Sequence, residues 1–83
     1  MFFRGGAFVA TWGERLKQLR TENNLKLKEL SDEMQITERA LCYYEANKRE
    51  PSLNVIKFAC NRFNVSADYF LGISDERTNL KAN

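Results

Sequence analysis

Apolar residues recur three or four apart along most of the chain, the spacing of amphipathic helices. Trp12, Leu16 and Leu19 form a first stripe, and Leu27, Leu30 and Met34 a second. Gln35-Ile36 interrupts the period, after which Ala40, Leu41 and Tyr44 share a third inward face and Leu53, Ile56, Cys60 and Phe63 a fourth. The pattern predicts helices from Thr11 or Trp12 to Glu22, from about Leu27 to Met34, from about Thr37 to Ala46, from just after Pro51, and from Ala67 to Leu71. Boundary residues support these limits. Thr37, Ser52 and Ser66 carry side-chain oxygens that accept an orphan backbone N–H at a helix start. Asn23-Asn24 ends the first helix, Asn47 suits a left-handed turn, and Gly72 stops the last helix.

The third helix leaves Glu38, Arg39, Cys42 and Tyr43 on the face opposite its core side chains. At about nine residues it is roughly 13 Å long and fits lengthwise into a major groove. Two short helices around a tight break, followed by the basic turn Asn47-Lys48-Arg49, point to sequence-specific DNA recognition.

The ordered set Gly13-Glu14-Arg15-Leu16-Lys17-Gln18-Leu19-Arg20, Leu25, Leu30, Ile36-Thr37, Tyr44-Glu45, Lys48-Arg49-Glu50-Pro51-Ser52-Leu53 and Val65-Ser66-Ala67-Asp68-Tyr69-Phe70-Leu71-Gly72 resembles the Cro and Xre family of phage and bacterial repressors. The resemblance covers about Gly13 to Gly72. It implies an all-α, five-helix, lambda-repressor-like DNA-binding domain with a helix-turn-helix over residues 13–72; outside it lie an apolar N-terminal arm over 1–12 and a polar tail over 73–83, expected to be frayed. In that frame Arg39 projects from the first turn of the reading helix toward a guanine's two acceptors. Glu38 either accepts from a cytosine amino group or serves as a helix-start acid, and Tyr43 touches a thymine methyl or a phosphate. Lys26, Lys28, Thr37, Cys42, Asn47, Lys48, Arg49 and Ser52 are the expected phosphate contacts, with Cys42 contributing little. Relatives often clamp the DNA backbone with a Gln at the start of the second helix; Leu27 stands there in this chain, which shifts the clamp to Lys26 or Lys28. Arg20 and Glu45 match an ion pair that ties the first helix to the end of the third.

Composition narrows the picture further. At 83 residues and 43% hydrophobic content the chain supports one small core, with no room for a ligand-sensing domain after Gly72. A formal net charge of +2 is low for a nucleic-acid binder, so the location of the basic residues matters more than their sum. The chain has no His, and Cys42 and Cys60 are expected as free thiols, one outward and one inward. These residues suggest no metal site, cofactor, catalytic pair or small-molecule site, and hence no enzyme. No stretch reaches the length of a membrane span, and Arg4-Gly5-Gly6 breaks the apolar start, so a cytoplasmic protein is expected.

One reading helix covers only a few base pairs, so specificity on double-stranded DNA implies a homodimer on a palindromic operator. Phe2, Phe3, Phe8 and Val9 of the arm have no place in a five-helix core, and Val55 and Phe58 lie off the predicted inward face of the fourth helix. With Tyr69, Phe70 and Ile73 they form the expected dimer interface. The alternative is a helix-turn-helix protein-interaction module, such as an antitoxin or a modulator of a related repressor, which Leu27, Glu38 and the low net charge favour.

Overall fold

Hydroxyl side chains start four of the five helices in the computed structural model, which describes residues 11–77. Thr11 accepts from the Glu14 amide at 3.3 Å, Thr37 from Ala40 at 3.0 Å, Ser52 from Val55 at 3.2 Å and Ser66 from Tyr69 at 3.0 Å. Each satisfies a first-turn donor that the helix itself leaves unpaired. The helices are α1 (Trp12–Glu22), α2 (Leu27–Met34), α3 (Glu38–Glu45), α4 (Leu53–Phe63) and α5 (Ala67–Phe70). α2 lacks a hydroxyl at its start, and there the Glu29 carboxylate accepts the Lys26 amide at 2.7 Å.

The helix ends share one device. Asn24, Gln35, Asn47, Asn64 and Gly72 take positive φ, and the amide of the residue after each reaches a carbonyl five residues back. These are Leu25 to Arg20, Ile36 to Ser31, Lys48 to Tyr43, Val65 to Cys60 and Ile73 to Asp68, all between 2.8 and 3.1 Å. A left-handed residue costs little as Asn or Gly, and the long return bond recovers an orphan carbonyl. Gln35 is the exception in residue type, and it sits at the break between α2 and α3.

Leu16 and Leu19, Leu30, Leu41 and Tyr44, Val55 and Ala59, and Val65, Tyr69 and Phe70 form the core, so every helix contributes. Trp12, Leu27, Met34, Ile56, Phe58, Cys60 and Phe63 pack around it. The fourth helix is rotated from the expected setting. Leu53, expected inward, is 66% exposed, whereas Val55, expected outward, is 9% exposed and Ala59 is fully buried. Leu53 stands at the first helical position.

The same packing corrects the expected dimer face. Val55, Tyr69 and Phe70 are enclosed in the domain's own core, and Phe58 packs against it, so the first three offer no surface to a second copy. Ile73, at 67% exposure, is the exposed member of that set. Phe2, Phe3, Phe8 and Val9 lie outside the described residues.

The tail differs from expectation too. The Ser66 amide donates to the Arg77 carbonyl at 2.8 Å and the Ser66 hydroxyl to the Glu76 carbonyl at 3.3 Å, so the chain to Arg77 is docked rather than frayed.

Candidate nucleic-acid interface

α3 presents Glu38, Arg39, Cys42 and Tyr43 outward and turns Leu41 and Tyr44 into the core. Its eight residues span about 12 Å at 1.5 Å per residue, well short of the roughly 12–15 residues below which an isolated helix is marginal in water. Its orientation therefore depends on tertiary contacts, and two clamps to α1 supply them.

The first clamp is ionic. Arg20 Nε donates to Glu45 Oε2 at 2.7 Å and Arg20 Nη2 to Glu45 Oε1 at 3.1 Å, a two-pronged pair whose side chains are 12% and 8% exposed. Arg20 Nη1 also donates to the Leu25 carbonyl at 3.0 Å, fixing the α1–α2 turn to the same anchor.

The second clamp is a close backbone approach. Asn47, held at φ 62°, accepts the Gly13 amide on Oδ1 at 3.0 Å and donates from Nδ2 to the Thr11 hydroxyl at 2.8 Å. A Cβ on Gly13 would lie 2.6 Å from the carbonyl oxygens of both Tyr44 and Glu45 and 2.7 Å from Asn47 Oδ1. Glycine is required here because the end of α3 occupies the space of a side chain. Gly13→Ala is expected to force α1 and α3 apart and lower stability by about 1–3 kcal/mol. A midpoint in urea indistinguishable from the parent chain would show that the approach relaxes freely.

This geometry gives Asn47 a structural role. Its amide nitrogen donates to Thr11 and its backbone N–H to the Tyr44 carbonyl at 3.1 Å, so it helps to seat α3. Lys48 and Arg49 follow it into solvent, and the Arg49 guanidinium carbon stands 5.8 Å from the Tyr44 ring centroid. Lys26 and Lys28 are exposed at the start of α2; Lys28 also meets Asp32 at 3.4 Å, an open pair of little consequence. Leu27, between them, is half-buried and lines a cleft of about 280 Å³ with Lys17, Arg20, Cys42, Glu45 and Ala46. It serves packing, and only its cationic neighbours face outward. Thr37 and Ser52 are exposed or nearly so while capping α3 and α4.

Both cysteines are free, Cys42 exposed and Cys60 partly buried. Burial pushes the Cys60 thiol above its ordinary range. Thiolate is the reacting form, so Cys42 is expected to alkylate several-fold faster than Cys60 in the folded chain, with both reacting on denaturation. Equal rates in the native state would contradict the burial of Cys60.

Sequence reasoning missed the roles of two residues in this assembly, Gly13 and Asn47. Gly13 carried a signal, since a glycine in the first turn of a helix weakens it unless a close approach needs it. The side-chain bridge from Asn47 spans thirty-four positions and left no local trace.

A helical pair, α2 and α3, joined by a tight left-handed break and braced by three further helices, defines a helix-turn-helix domain. Residues 13–75 match the family described as Helix-turn-helix domain, and the chain belongs to that family in its Cro and Xre form. It is 34% identical over 74 residues to the "Uncharacterized HTH-type transcriptional regulator YobD" of Bacillus subtilis (strain 168), covering 82% of the chain and 66% of that protein. Over 60 residues it is 35% identical to the "HTH-type transcriptional regulator ImmR" of the same organism, covering 72% of the chain and 47% of the relative. The "SPbeta prophage-derived uncharacterized HTH-type transcriptional regulator YonR" is likewise 35% identical over 60 residues, with 72% and 56% covered. The chain thus spans between about half and two thirds of the length of these curated relatives. Among the described residues no helix is long and apolar enough to cross a membrane.

Proposed function

We propose that this chain is a sequence-specific DNA-binding transcriptional regulator that represses as a homodimer on a palindromic operator. The observation that carries the reading is the outward face of α3, where Glu38, Arg39 and Tyr43 stand free of intramolecular partners among the described residues while two clamps hold the helix from behind. A face prepared in this way suits base edges, because discrimination needs donors and acceptors fixed in register. Lys26 and Lys28 on one side and Lys48 and Arg49 on the other would engage phosphates, with Thr37, Cys42 and Ser52 in supporting positions. The names of the three relatives as HTH-type transcriptional regulators agree with this assignment.

Selection from random-sequence duplexes tests it. The expected product is a two-fold symmetric site whose half-sites lie about 34 Å apart, one helical turn of DNA. Enrichment of no sequence would reject DNA reading and favour a protein partner for the α3 face. Enrichment of a single asymmetric site would reject the homodimer.

A further inference from the structure

Among the described residues, the segment after α5 folds back along α1, held by hydrogen bonds, ion pairs and a cation–ring contact. Ser74 ties it to its root, its amide donating to the Asp68 carbonyl at 3.2 Å and its hydroxyl accepting the Glu76 amide at 3.0 Å. Asp75 accepts from Arg15 Nη2 at 3.0 Å, and Arg77 Nη2 donates to Glu22 Oε1 at 2.7 Å, so the segment grips α1 two turns apart. The Arg77 carbonyl then closes the loop on the Ser66 amide at 2.8 Å. Between these points lies the buried ring of Tyr69, with the Arg15 guanidinium carbon 3.8 Å from its centroid and that of Arg77 at 5.3 Å. Both cations face the negative ring surface, a favourable arrangement.

These contacts differ in how firmly they hold. Arg15 is 7% exposed, but Asp75 is 92% exposed, and the Arg77–Glu22 pair is 45% and 39% exposed. Charges in such positions are screened by salt and contribute modestly one by one. Among the described residues, Ser74–Arg77 carries no apolar side chain and adds none to the core. The hydrogen bond from Arg77, followed by one from Gln18, holds the Glu22 carboxyl below the usual carboxylate range. A lowered folded value means the contact is complete above that range and is lost as the pH falls through the lowered value.

The helix gripped by this segment is the one that positions the reading helix. Arg15 and Glu22 meet the segment, while Gly13 and Arg20 on the same α1 hold Asn47 and Glu45 at the end of α3. We infer that Ser74–Arg77 is a detachable strap, which when docked fixes α1 on α5 and through α1 tightens the seat of the reading helix, and when released loosens both. The consequence for DNA affinity rests on the function proposed above, whereas the coupling within the domain does not.

Amide hydrogen exchange on the 83-residue chain tests the coupling without DNA. Ser66 reports the strap, because its N–H is bonded to Arg77, and Gly13 reports the α1–α3 clamp, because its N–H is bonded to Asn47. In a D75N/R77Q chain the Ser66 amide is expected to exchange about tenfold faster, with the Gly13 amide accelerated by a smaller but resolved factor. Raising salt on the unaltered chain should move the two amides in the same order, which keeps the test valid if the variant folds poorly. Unchanged Ser66 exchange under both treatments would overturn the strap. Faster Ser66 exchange with Gly13 unmoved would overturn its link to the reading helix. If the domain reads DNA, the variant should also lose several-fold affinity for the selected site, and absence of DNA binding by the unaltered chain would count against the function and leave the amide result standing.

Discussion

Glu45→Ala is expected to destabilise the domain by about 3–5 kcal/mol, the largest single effect of any side-chain truncation outside the apolar core. The cost does not come from losing a favourable pair, since two charges gain little once desolvation is counted. It comes from Arg20, which at 12% exposure would keep its guanidinium beside the core with no carboxylate within reach. A small domain has a total stability of about 5–15 kcal/mol, so the variant should unfold at a much lower urea concentration and, at the low end, be partly unfolded in buffer. Removing both partners, as in Arg20→Met with Glu45→Leu, should recover much of the loss, because apolar groups of similar volume leave no charge stranded. A double variant no better than Glu45→Ala would show that losing the bond from Arg20 to the Leu25 carbonyl costs as much as the stranded charge. The recovered variant also separates stability from function. It should be folded and, if the domain reads DNA as proposed, do so less selectively, because the two-pronged geometry that fixes the end of α3 is gone.

The helices were legible because their ends are chemically marked. Thr37, Ser52 and Ser66 cap where their side chains predict, and Asn47 and Gly72 take the left-handed conformations their residue types favour. The stripes of α1, α2 and α3 were legible because each helix is polar on its other side. α4 was not, because Leu53, Val55, Ile56, Phe58, Ala59, Cys60 and Phe63 wrap most of its circumference with apolar groups. Periodicity then fits more than one inward face, and the choice falls to which side chains the neighbouring helices can accommodate. Tertiary packing selected Val55 and Ala59 over Leu53. The exposed residues of α3 follow from its stripe and needed no further information. The clamps behind it are another matter: Arg20 and Glu45 were visible only through the family resemblance, the Gly13–Asn47 approach only as a glycine in the first turn of a helix, and the strap not at all. Polar contacts between distant segments have no period, so a run such as Ser74-Asp75-Glu76-Arg77 reads as solvated tail until the fold brings Arg15 and Glu22 beside it.

Arg39→Ala and Lys48→Ala should fail in different ways if α3 enters a major groove. Both side chains are exposed and neither takes part in the clamps, so both variants should fold with unchanged stability. Arg39 stands in the first turn of α3, where a guanidinium can meet both major-groove acceptors of a guanine, and its loss should cost about 1–3 kcal/mol on the selected site. The same variant should lose preference at one position in each half-site while its binding to random DNA hardly changes. Lys48, on the turn after α3, should contribute through phosphate neutralisation, so Lys48→Ala should weaken all sequences by a similar factor and flatten the dependence of affinity on salt by about one counterion. Equal losses on operator and random DNA for Arg39→Ala would remove it from base reading and leave Glu38 and Tyr43 as the only candidates on that face. An unaltered salt slope for Lys48→Ala would move the phosphate grip to Arg49 or to the lysines at the start of α2. The two measurements together decide which edge of the reading helix faces the bases and which faces the backbone.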